Sequence, residues 1–250
     1  MDKMIFTVLN GMQVTERRQA NTFNELANVN TIGFKSSFDA AIISKDLSSP
    51  DTYDARAFPG LTAQNVVDLE PGPMMRTNHD LDLYISDKGL FAVQANDGSE
   101  AYTRRGDLKI TANGVLTTGA GDLVLGEGGP ITLPPASKIE IAPNGVISAV
   151  ITGEGDVVVE EVDRLKLVNA EGQIIQIRED GLYQTVTKQP LPLDAEITVT
   201  RGSLEGSSAN AVDVMVQMIK DSREYEMQVK VVKNAKEMAT ASASMIRLDS

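Results

Sequence analysis

The stretch AVDVMVQMIKDSREYEMQVKVVKNAKEMATASASMIRL, residues 211–248, contains neither Gly nor Pro. Ala211, Met215, Met218, Ser222, Tyr225, Val229, Val232, Lys236, Ala239, Ala243 and Ile246 follow one another at alternating spacings of four and three. All but Ser222 and Lys236 are apolar, so the row makes one stripe of a 3.5-residue repeat. A second stripe, Val231, Ala235, Met238 and Met245, runs beside it. The spacing predicts one helix over 211–248, about 57 Å long at 1.5 Å per residue. That is far beyond a typical globular helix and suits a coiled-coil arm. Ser207, Ser208 and Asn210 stand where an N-cap is needed.

The N-terminal segment carries the same repeat. Ile5, Leu9, Met12, Glu16, Gln19, Phe23 and Leu26 alternate fours and threes, and the pattern stops at Ala27-Asn28. Four Asn then crowd the exit: Asn21, Asn24, Asn28 and Asn30, followed by Gly33 and Phe34. A plain polar helix end accounts for one or two of these amides. The expectation is that Asn28 or Asn30 ends the helix in a left-handed conformation. Gly33 would add a further positive φ, Phe34 would anchor the outgoing chain, and the amides would bond turns or neighbouring subunits.

Between the two arms the pattern changes. From Pro71 to Arg201 short alternating runs are separated by turn formers: LDLYI (81–85), GLFAVQ (89–94), DVVVEEV (156–162), IIQIR (174–178) and AEITVT (195–200). Asn113-Gly114 and Asn144-Gly145 read as hairpin turns in which both residues favour positive φ. They sit in similar words, ITANGVLTTGAG and IAPNGVISAVITGEG, which resemble one hairpin unit used twice. The fold class is α+β: long terminal helices paired as a coiled coil, with an antiparallel all-β domain inserted between them. Residues 1–35 form the N-terminal helix and its polar end, grouped with the helix 208–250. Residues 36–70, rich in polar turn formers, are an extended linker, and 71–205 are the β domain.

Charge limits the partners. The chain carries a net −12; residues 1–35 hold +1 and 211–250 are neutral, so −13 falls on residues 36–210. An acidic middle argues against nucleic acid, which selects a basic face. No apolar run reaches the ~18 residues of a membrane span, and the N-terminus lacks a cleavable signal's uninterrupted apolar region. There is no Cys, hence no disulfide and no thiolate site. His79 is the single His, beside Asp80 and Asp82; a lone His at a strand start is structural far more often than catalytic. Glu160 and Glu161 are adjacent, so on a strand they point apart and make a poor acid–base pair. GAGDLVLGEGGP has no following Lys-Ser/Thr and reads as a pair of turns. No cofactor, metal or catalytic site is expected. Three classes remain: a self-assembling structural protein, a secreted binding module with a coiled-coil oligomeriser, and an enzyme of unseen site.

Several motifs resemble one family. NELANVNTIGFKSSF (24–38) is similar to the N-terminal signature of the axial proteins of the bacterial flagellum, the rod, hook and hook-associated subunits. That signature has the form N-N-L-A-N-x-x-T-x-G-[FY]-K, and Glu25 is the one departure from it. LDLYISDKGLFAV (81–93), YTRRGDLKITANGVLTT (102–118) and LEGSSANAVDVMVQMIKDSREYEMQVKVVKNA (204–235) look like its later motifs, in the same order. The short length and YEMQVKVVKNAKEM resemble the proximal-rod branch more than the longer distal-rod or hook subunits. The resemblance implies a structural subunit of the basal body. It implies export without cleavage by the flagellar type III apparatus, assembly in the periplasm and transmission of torque from motor to hook. Partners would be other rod subunits, the distal-rod protein among them, and further copies of the chain itself. The residues expected to carry assembly are Leu9, Met12, Phe23, Asn24 and Leu26 on the first arm, and Asn28, Asn30, Gly33 and Phe34 at its end. On the second arm they are Met218, Tyr225, Val229, Val232 and Ile246.

Overall fold

A computed structural model describes residues 2–39, 42–46, 57–61, 65–136, 138–152 and 157–248. Two helices bound the chain, α1 at Asp2–Ala27 and α2 at Ala211–Leu248, with short strands between them. The α+β class with a β domain between terminal helices is therefore the observed one. α2 has the length that its Gly- and Pro-free sequence sets. It is capped at its start by Asn210, whose side-chain Oδ1 accepts the Val212 amide at 3.0 Å and whose carbonyl accepts that of Val214 at 2.9 Å. Asp213 adds a negative charge in the first turn, where the helix dipole favours it.

The chain divides into two units, and the division differs from the one expected. One unit comprises residues 1–27, 39–64 and 210–250; the other comprises 28–38 and 65–209. The signature segment after α1 thus groups with the β domain, not with the helices, for reasons given below. The segment 36–70 was expected as an extended linker. Its described residues include an antiparallel strand pair, Ile42–Asp46 with Ala57–Leu61, in the helical unit.

Within the β unit the largest sheet has ten strands among the described residues. Its centre is the expected run Gly89–Gln94, buried along most of its length. It pairs antiparallel with Glu100–Thr103, with Leu123–Val124 and with Leu167–Asn169. One face of this strand, through Phe91 and Val93, joins a core with Leu83, Ile85, Leu116, Ile147 and Leu165. Its other face, through Leu90 and Ala92, joins a second core with Tyr102, Val168, Ile175 and Tyr183. Period-2 side chains buried on both faces explain why the word reads as an unbroken apolar run.

Five hairpin turns among the described residues share one construction. The Asn-Gly turns were expected to hold two residues at positive φ, but only the glycines do, Gly114 at +79° and Gly145 at +81°. The Gly114 amide donates to Thr111 O and the Thr111 amide donates to Val115 O; Gly145, Ala142 and Val146 repeat this pattern. This is a type I turn closed by a left-handed Gly, the three-residue loop with a bulge. Ala95–Ser99, Thr118–Asp122 and Arg178–Leu182 use the same pattern of bonds around Gly98, Gly121 and Gly181. The internal likeness of two words is thus one turn solution used five times.

Candidate assembly interface

α1 and α2 lie side by side and antiparallel, joined by a row of polar bonds. Gln228 Nε2 donates to Thr15 Oγ1 at 3.0 Å, and Thr22 Oγ1 lies 3.4 Å from Asp221 Oδ2. Arg18 reaches Glu224 at 3.3 Å and Asp221 at 3.9 Å, and Gln217 donates to Asp221 at 2.8 Å. Thr15, Thr22 and Asp221 are buried, with Val214 and Ala235 above and below on α2.

This seam is turned from the one that apolar periodicity selects. On α1, Met12, Gln19 and Leu26 are half-buried. The row Leu9–Glu16–Phe23 does not: its place is taken by Val8, Thr15 and Thr22, one residue earlier. On α2 the same shift occurs. Met218 and Val232 are half-buried, but Val214, Asp221, Gln228 and Ala235 replace Met215, Ser222, Val229 and Lys236. Polar residues at seven-residue spacing, Thr15/Thr22 and Asp221/Gln228, mark the true seam. An apolar count passes over them.

Large apolar side chains are left outside. Phe23 is 53% exposed, Val212 66%, Met227 59% and Met238 62%; Leu9, Met215, Ile219, Tyr225 and Val229 are exposed as well. Ile246 lies in α2. Exposed large apolar side chains gathered on one element mark an interaction surface.

The Asn cluster behaves differently from expectation. Neither Asn28 nor Asn30 has positive φ. Asn28 instead supports the turn after α1: its carbonyl accepts the Thr31 amide and its side chain accepts the Thr31 hydroxyl, both at 3.0 Å. Asn24 and Asn30 are exposed. The left-handed residue is Gly33, at φ +66°. A Cβ there would stand 2.6 Å from the carbonyl carbon and oxygen of Arg104. The Gly33 amide donates to Glu205 O at 2.8 Å, and half-buried Phe34 accepts the Ser208 amide on its carbonyl at 3.0 Å.

Sequence reasoning missed what lies beneath. Lys35, Arg104 and Glu205 are fully buried together in the β unit. Lys35 Nζ bonds Glu205 Oε1 and Glu70 O, while Arg104 Nε lies 3.0 Å from Glu205 Oε2. Arg104 also donates to Gly89 O at 2.6 Å and Asp87 O at 2.5 Å. Burial pushes the Lys35 ammonium below its ordinary range, against the hydrogen bond and charge of Glu205. The Tyr183 hydroxyl donates to Gly33 O at 3.3 Å, and burial holds this phenol well above its usual range. The available signal was that each of the three charged residues lies within one of the motif words, GFK, YTRRG and LEGSSAN.

Among the described residues no group of three or more His, Asp or Glu could hold a metal ion, and no helix is long and apolar enough to cross a membrane.

Known proteins match along the whole chain. Residues 84–149 match the flagellar hook protein FlgE/F/G D1 domain family, and residues 200–245 match the flagellar basal body rod FlgEFG protein C-terminal family. The chain is 38% identical to the flagellar basal-body rod protein FlgF of Salmonella typhimurium, over 95% of both chains. It is 37% identical to FlgF of Escherichia coli over 99% of this chain and 100% of that one. Similarity to the basal-body rod protein FlgG of Buchnera aphidicola is lower, at 29% over 86% of this chain and 88% of the relative. With a helical arm at each end, a β unit between them and relatives aligned from end to end, the chain belongs to the FlgF family of flagellar basal-body rod proteins.

Proposed function

We propose that this rod subunit self-assembles through its terminal helices, as part of the proximal rod, and passes torque from motor to hook. The observation that carries the reading is the division of labour on α2. Its polar row faces α1, while Met215, Ile219, Met227, Val229 and Met238 face solvent. Burying a Val, Leu, Ile or Met side chain is worth about 1.5–3 kcal/mol, so a face of five or more drives association strongly. The occupants are terminal helices of neighbouring rod subunits, including further copies and the distal-rod protein, which pack as a coiled-coil layer around the axis. Leu9 and Phe23 join that face from α1, and Met12, Leu26, Met218 and Val232 hold the pair together. The likeness to FlgF of Salmonella typhimurium and Escherichia coli, at 38% and 37% along nearly the whole chain, supports the proximal position. The protein acts as a structural element without catalysis. It reaches the periplasm through the flagellar type III apparatus without a cleaved signal.

The test is Ile219→Asp in a motile strain. An exposed site tolerates the carboxylate in the free subunit; buried between subunits without a partner it costs several kcal/mol. Cellular level and helicity of the purified chain should stay unchanged, while its recovery in basal-body preparations and swimming are lost. Normal incorporation of the variant refutes this face as the assembly surface.

A further inference from the structure

Glu205 is the point at which separate parts of the β unit converge. Its carbonyl accepts the Gly33 amide, its Oε1 accepts Lys35 Nζ and the Gly72 amide at 2.7 Å, and its Oε2 faces Arg104. Beside it, the Ser208 amide donates to Phe34 O at 3.0 Å and the Ser36 amide donates to Ser208 Oγ at 2.9 Å. All these residues belong to the one unit. Two cations and one anion are buried here, each with under 2% of its surface exposed. Backbone carbonyls add bonds to the cations: Glu70 O accepts from Lys35, and Gly89 O and Asp87 O accept from Arg104.

We propose that Glu205 closes a three-charge lock, holding the strap Thr31–Ser37 onto the β unit and making its closure conditional on docking of the strand Ser203–Glu205. The reason is electrostatic. Without Glu205 the closed unit would bury two like charges with no carboxylate, and a buried charge deprived of its partner is strongly destabilising. Glu205 is in the last strand of the unit, whereas Lys35 is in its first segment. In a chain made from the N-terminus, Lys35 and Arg104 exist before Glu205 does. The strap cannot shut over an incomplete chain, because its own lysine forbids it. Once Ser203–Glu205 pairs with Met74–Arg76, the same residue supplies both the carboxylate and the carbonyl that Gly33 needs.

Amide hydrogen exchange on the full chain tests the lock. In Glu205→Gln, the Gly33 and Ser208 amides should exchange at least about tenfold faster relative to amides of the strand Gly89–Gln94, because the strap opens locally. Adding Lys35→Met should restore much of that protection by removing the unpaired ammonium. If Glu205→Gln does not fold, Lys35→Met/Glu205→Gln must fold. In refolding with pulse labelling, Gly33 should gain protection together with Ser203–Glu205. Equal acceleration of all amides, no recovery on adding Lys35→Met, or protection of Gly33 before that strand overturns the proposal.

Discussion

Gly33 shows how much one residue can be fixed by its surroundings. A side chain there faces two penalties: a left-handed backbone, about 1–2 kcal/mol for an L residue, and a Cβ 2.6 Å from the Arg104 carbonyl. Gly33→Val should therefore lower the urea unfolding free energy of the β unit by at least about 2 kcal/mol, and a shift under half of that would mean that the peptide of Arg104 yields. Asp97 gives a contrasting surface case. Its carboxylate accepts the Ser99 hydroxyl and amide and the Arg178 guanidinium, and these hold its pKa down from the ordinary 3.8 to about 2. The folded state binds this proton less readily than the unfolded one. The stabilisation is complete above pH 3.8 and fades as pH falls to about 2. Asp97→Asn should flatten the pH dependence of the thermal midpoint in that window and leave its slope above pH 5 unchanged. An unaltered acid slope would show the Ser99 and Arg178 bonds to be idle. At this scale residue type alone exposes Gly33. It does not expose Asp97, whose partner Arg178 is 81 positions away.

The helices show what periodicity can and cannot reveal at the scale of an element. Existence and extent of α2 are legible because nothing in 211–248 breaks a helix. The inward face is not, because apolar counting assumes that the most hydrophobic row is buried within the same chain. Here Thr15, Thr22, Asp221 and Gln228 occupy the seam, and Leu9, Phe23, Met215 and Val229 stand one position outside it. In the assembly proposed above, the best apolar row is reserved for a neighbour. Buried polar residues fix register at some cost in stability, as single polar core positions do in coiled coils. Asp221→Ala should thus weaken the α1–α2 pair by about 1–3 kcal/mol, since Arg18 and Gln217 lose a buried carboxylate and the Thr22 hydroxyl keeps only its bond to Arg18 O. Loss of helical signal at lower temperature, with the β-unit transition unmoved, is the expected melting profile. A coincident downward shift of both transitions would mean that Asp221 acts through more than the pair. Asp221→Leu, which fills the space, should recover part of the stability while permitting slipped registers.

For the whole molecule the question is which residues make an independent folding unit. The strand-rich words between Pro71 and Arg201 suggest a boundary near residue 71, but composition cannot show that residues 28–38 complete that unit. Their contribution is a strap of a few residues, with no periodicity of its own, whose Gly33 and Lys35 dock on groups some 70 and 170 positions later. A fragment covering 71–205 retains both apolar cores apart from Val67 and Leu69, so its hydrophobic drive is nearly intact. It loses Lys35 and the Gly33 amide, leaving Glu205 with Arg104 as its remaining buried cation. The strap's loss removes its hydrogen bonds to Glu205, Glu70, Tyr183 and Ser208, at about 0.5–3 kcal/mol each, together a large share of the stability of any domain. A fragment covering 28–209 should melt cooperatively with a β-type spectrum, and 71–205 should melt at least about 10 °C lower or fail to fold, since about 1 kcal/mol moves such a domain by a few degrees. Within 71–205, Glu205→Gln should leave one buried cation, Arg104, without its carboxylate, against two within 28–209, and so should cost less there. Equal midpoints for the two fragments would place the boundary at residue 71 and make the strap dispensable to the β unit.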